Sequence, residues 1–218
     1  MAGIQSSIDS SKPKTYHTTV DGKSVDASTH MNDVAKAMTP AQMTSAGYNL
    51  NDAASLNQLV NDIQALPQAV TVADGAQSSD VPGGMGTAGN QKVIVANGDF
   101  TLSPAQSSFG ILVVKGTLTF NGNINHTGII MVIGDGVMIR HGGGNGTISG
   151  AVWIANTAGA DGVPGTADDA MGASVLNTSG GGASNVQYCS SAVANALSLT
   201  APTPTYSPLV VKSFRQVL

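Results

Sequence analysis

Three of the chain's 13 acidic residues fall within nine positions, Asp161, Asp168 and Asp169 in the segment Asp-Gly-Val-Pro-Gly-Thr-Ala-Asp-Asp. Oxygen-rich loops of this kind suit Ca²⁺, which takes carboxylates, amide oxygens and backbone carbonyls in flexible geometry. Asn156 and Thr166 stand near enough in sequence to add oxygens, so Asn156, Asp161, Asp168 and Asp169 form a candidate calcium loop. Its spacing is not that of an EF-hand, and Asp residues also build turns by accepting bonds from their own backbone. A second constellation is Asp99, Asp135, Arg140 and His141. If Asp99 and Asp135 occupy one corner two coils apart, with Thr117 between, strand spacing puts them about 9.6 Å apart. Two carboxyls at about 6.5–9.5 Å suit an inverting glycosidase, and with Arg140 and His141 on the same solenoid face the alternative expectation is a secreted β-helix polysaccharide hydrolase or lyase. The competing account is corner Asp residues capping backbone N–H groups. Few rungs and only 4% aromatic residues argue against a sugar-binding groove.

Other reactive residues carry less. His17, His30, His126 and His141 show no metal-ligand spacing and read as exposed loop residues, and Cys189, with no nameable base beside it, reads as a buried or half-buried bystander. As the single cysteine it also excludes an internal disulfide. Gly142–Gly144 lack the Lys-Ser/Thr of a phosphate loop and read as a tight turn.

Those side chains need a frame, and the composition restricts it. The chain has 218 residues, 41% apolar and 10% charged, with 27 glycines; all 13 acidic residues are Asp. Without Glu and with abundant Gly, Ser, Thr and Asn, a helical bundle is disfavoured. Nine basic residues and a net charge of −4 make no nucleic-acid footprint. The longest apolar run, Ile129 to Ile133, is far short of the roughly 20 residues of a membrane span. The polar opening MAGIQSSIDSSKPK has no signal-peptide pattern.

The pattern divides at about residue 90. Residues 1–90 read as an irregular or loosely packed polar arm (1–30), brief helices at Met31 to Met38 and after Pro40, a better helix capped by Asn51 or Asp52 with Leu56, Leu59, Val60, Ile63 and Leu66 on one stripe, and a Gly75–Asn90 linker. From 91 to 218, short apolar runs alternate with glycine. Gly98, Gly116 and Gly134 recur every 18 residues, as do Gly110 and Gly128; Gly150 follows after 22. Such units cannot bury their own apolar faces and must stack. The expectation is a mainly β fold: a short right-handed parallel β-solenoid with rungs of about 18 residues, its N-terminal helices packing on it or capping it. Val95, Val113 and Met131 should form one column lining its interior, with Trp153 in line with them. A loop excursion at 157–173, a capping helix at Ser191 to Leu197 and a terminal strand in LVVKSFRQVL complete the expectation.

The stretch GILVVKGTLTFNGNINHTGIIMVIGDGVMIRHGGGNGTISGAVWIANT, followed by SGGG, QY and the terminal SFRQVL, resembles the C-terminal region of PilX-like type IV pilus assembly proteins. The similarity runs from Lys92 to Leu218, with a weaker echo in the helix around Leu56 to Leu66. It implies an exported, non-enzymatic, minor-pilin-like protein of the bacterial surface. Its partners would be other pilins or envelope proteins, with self-association through the solenoid ends. Members of that family carry an apolar N-terminal anchor helix. None is seen here, so the resemblance implies a domain parted from its anchor.

Overall fold

The computed structural model describes residues 52–141, 146–177 and 184–200, and the strands at 6–8, 16–20 and 23–26. The expected helices at 31–40, the corner at 142–145 and the terminal strand lie outside the described residues.

The chain forms a β-solenoid in which strands alternate between two parallel sheets. After β1 (Ser6–Ile8), β2 (Tyr16–Val20), β3 (Lys23–Asp26) and helix α1 (Ala53–Gln64), the coils run from β4 (Ala69–Val72) and β5 (Ala76–Gln77) to β6 (Lys92–Ala96) and β7 (Phe100–Leu102). They continue through β8 (Ser107–Val114), β9 (Thr117–Asn121), β10 (Asn125–Gly134), β11 (Val137–His141), β12 (Gly146–Asn156), β13 (Ser174–Asn177) and β14 (Ser184–Tyr188), followed by helix α2 (Ser190–Leu197). One sheet has the order β3-β2-β14-β12-β10-β8-β6-β4, the other β1-β13-β11-β9-β7-β5. Every pairing between named strands is parallel except β2 with β3.

The 18-residue repeat appears directly as register. Val95 pairs with Val113, Val113 with Met131, and Met131 with Trp153. This column stacks as expected but faces the other way. Period-2 alternation turns its members outward, where Val93, Val95, Ile111, Val113 and Met131 pack against Leu56, Val60 and Ile63 of α1. The interior belongs to the alternate residues: Ile94, Leu112 and Ile130 in one column, Phe100, Leu118 and Met138 in another. Both faces of the middle strands are apolar because both are covered, as parallel sheets require.

The helices are therefore flank covers. Asp52 caps α1 by accepting the Ser55 N–H at 2.8 Å, and the stripe of Leu56, Val60 and Ile63 is buried on the outer sheet face. Helix α2 lies against the same sheet, over β8, β10 and β12, and does not cap the end as anticipated. The polar arm also departs from expectation. Instead of irregular chain it contributes β1 and β2 to the coil ends, where the last coil offers an unsatisfied ladder to pair with. The boundary at residue 90 shifts as well. Ala69 already pairs with Val93, 24 residues on, and the longer loop between β5 and β6 hides that first coil from the 18-residue period.

At one stacked position the coils demand glycine. Gly110, Gly128 and Gly150 stack in register with φ of 116°, 134° and 147°. A Cβ on Gly128 would lie 2.0 Å from the Gly110 carbonyl oxygen, so neither the backbone angle nor the space admits a side chain.

Candidate functional site

Polar residues concentrate at one corner of the coils and in the excursion. At the corner, the Asp74 carboxylate accepts the Asp99 N–H at 2.7 Å, and Asp99 in turn accepts the Thr117 N–H at 2.7 Å. Each carboxylate thus ties its coil to the next by closing a backbone donor that the turn leaves open. Asp135 joins this corner. Its carboxyl is held above the usual range by partial burial and by repulsion from Asp99 and Asp74. The register differs from the expected one, however. Val137, not Asp135, stands against Thr117, because Gly134 remains in β10 and the turn passes to Asp135 and Gly136. Beside the corner, Lys115 donates to Gln64 of α1 at 2.6 Å and is pushed down by desolvation.

The structure does not bring Asp99, Asp135, Arg140 and His141 together. Arg140 turns into the solenoid, in register with Phe120 and only 8% exposed, while His141 is exposed at the far end of the same strand. The two carboxylates lie at one corner, the guanidinium is buried in the solenoid, and the imidazole stands exposed at the other end of β11.

In the excursion the carboxylates gather backbone donors. Asp168 accepts from the Ala160 and Asp161 N–H groups at 2.9 and 3.0 Å and from the Thr166 hydroxyl at 2.6 Å. These bonds, the Thr166 one foremost, hold its carboxyl below the usual range. Asp169 accepts from Gly165 N–H and from Asn57 of α1, whose own amide oxygen accepts the Thr157 hydroxyl at 3.0 Å. Asp161 accepts the Val163 N–H, and Asn156 the Ala158 N–H. The four candidate calcium residues are neighbours on one loop, in which Asp168 and Asp169 share the Thr166 hydroxyl at 2.6 and 3.5 Å. Among the described residues no three His, Cys, Asp or Glu side chains converge as a metal site would need.

One buried polar pair escaped the sequence reading, which placed His126 on a loop. It lies in β10, inward-facing and 2% exposed, with Nδ1 2.7 Å from the Ser108 hydroxyl. Burial lowers its pKa to about 4. The available signal was register: His126 follows Ser108 by one repeat, in an interior column continued by Ile148. Cys189 is half-buried just before α2, with Sγ 3.3 Å from the Ser191 hydroxyl, which leads the contacts that lower its pKa. Trp153 packs in the outer cluster beneath the helices, in the column anticipated for it.

Fold and site together define a β-solenoid whose polar corners fasten the coils. Compared with family models, with curated proteins and with solved structures, the chain has no match.

Proposed function

We propose that this protein is a non-enzymatic structural component of the bacterial cell surface, a minor-pilin-like part associated with type IV pili in assembly, display or adhesion. The observation that carries this reading is the use of the polar side chains. Asp74, Asp99, Asp168 and Asp169 all accept bonds from backbone or neighbouring side chains that hold coils and loop in place. A body organised in this way offers shape and surfaces, not a reacting centre. The motif order from Lys92 to Leu218 supports the pilus assignment, and other pilins or envelope proteins are its natural partners.

Deletion of the gene in its native host, complemented by an epitope-tagged copy, tests the proposal. The tag should appear in the sheared surface fraction, and piliation should fall in the deletion strain. A tag confined to the cytosol with piliation unchanged refutes it. So does cleavage of a polyanionic glycan that is lost in Asp99→Asn and Asp135→Asn.

A further inference from the structure

The last coil is completed by a remote part of the chain. Strands alternate between sheets up to β14, so a continuing solenoid would next place a strand beside β13 and then one beside β14. The N-terminal arm supplies both, in that order and in parallel: β1 pairs Ser6–Ile8 with Ser174–Leu176, and β2 pairs Tyr16–Thr19 with Ser184–Gln187. Strand β3 then folds back antiparallel on β2 and ends the parallel run. We infer that this arm is an exchangeable strand donor, and that its acceptor in the assembled protein is the β13/β14 edge of a second copy of this chain.

Connection length makes the exchange feasible. The arm's last strand and β4 are the two edges of an eight-stranded sheet, about 34 Å apart at the usual strand spacing. The 26 residues between Asp26 and Ala53 reach up to about 86 Å when extended. That reach serves a neighbouring body as well as the chain's own. Trans pairing keeps every ladder bond of the arm, so the two forms differ chiefly in connection entropy. A tether of 26 residues gives the chain's own arm an effective concentration on the order of millimolar. Packed at that density, neighbours compete on equal terms, and exchange of an identical element is a low-cost route to assembly. The inference concerns the arm and its edge, and stands whether or not the protein works at a pilus.

Full-length chains in a Cys189→Ser background test it. One population carries Ser7→Cys and the other Val175→Cys, two positions opposed in register. Mixed from about 1 µM to about 1 mM with a short bis-maleimide, they should give an interchain product rising at least about ten-fold across the range. Peptide mapping should place the link at residues 7 and 175. The double variant, Ser7→Cys with Val175→Cys, should give intrachain product at dilution and interchain dimers when concentrated. Intrachain product alone at every concentration overturns the inference. So does the absence of any link in variants whose thermal melts match the parent.

Discussion

Acid should unfold this protein through His126 before its carboxylates titrate fully. The ring is enclosed in the solenoid between Ser108 and Ile148 of adjacent coils, and its pKa falls from 6.5 to about 4. Arg140, a second basic side chain turned into the interior, supplies no negative charge to hold a proton on the ring. In the unfolded chain the same imidazole takes up a proton below about pH 6.5. Between these values the unfolded state binds more protons than the folded one, so stability is intact above pH 6.5 and declines as pH falls toward 4. A gap of about 2.5 units at about 1.36 kcal/mol each gives a loss of roughly 3 kcal/mol, a large share of a typical domain's stability. Urea denaturation at pH 7, 5 and 4 measures it, with His126→Asn as the non-titrating reference. The difference between the two profiles should grow by up to about 1.36 kcal/mol per pH unit in this window and flatten above pH 6.5. Subtraction cancels the Asp contributions common to both proteins. Parallel profiles from pH 6.5 to 4 would show that the ring is accessible to protons in the folded state, and would refute its enclosure.

Further expectations follow from the same contacts. Gly128→Ala should cost about 3 kcal/mol or more in chemical denaturation, since it adds both left-handed strain and a clash with the Gly110 carbonyl; a loss below about 1 kcal/mol contradicts the stacked register. Asp135→Asn should stabilise the protein at pH 7 by roughly a few tenths of a kcal/mol, after allowance for solvent screening of a half-buried group. Because the folded pKa is raised, that gain should vanish at pH values below the ordinary carboxylate range, which a melt at pH 3 would reveal. Asp168→Ala should speed amide exchange at Ala160 and Asp161, whose N–H groups it accepts; unchanged exchange there excludes the turn it closes. Millimolar calcium should leave the melting temperature unchanged, since the loop carboxylates are already engaged by backbone and hydroxyl donors of the loop; a rise reversed by EDTA would show that they regroup around the ion.

The stacking of coils was legible because glycine positions repeat at a fixed interval, and register converts that interval directly into pairs such as Val95 with Val113. Helix α1 was legible for a similar reason, its stripe and Asp52 cap being local signals. The first coil was not. Its partner strand lies 24 residues away, across a loop that carries the short helix Ser78–Asp80, and a period search finds no match there. Nor did spacing reveal the arm's pairing, because β2 meets β14 only after the whole solenoid has intervened. The candidate enzyme constellation dissolved through alternation: Arg140 and His141 are consecutive, so one must face in if the other faces out.

Alternation also explains why the inner and outer columns were exchanged. In a strand exposed on one side, the apolar residues identify the core face. In β6, Lys92–Ala96, four consecutive residues are buried, so composition cannot tell which of them point inward. What settles the matter is the neighbouring chemistry. The column of Val95, Val113, Met131 and Trp153 meets the two helices on the outer face, whereas the alternate column meets Phe100 and Leu118 across the coil. Removing the helix contact should therefore strike the outer cluster alone. Leu56→Ala, a fully buried position on α1, should cost about 2–5 kcal/mol in urea denaturation. The inner columns should keep their strand circular dichroism until global unfolding. If instead Leu56→Ala costs less than about 1 kcal/mol, α1 is not a cover of the outer face, and the two-faced burial of the sheet is wrong.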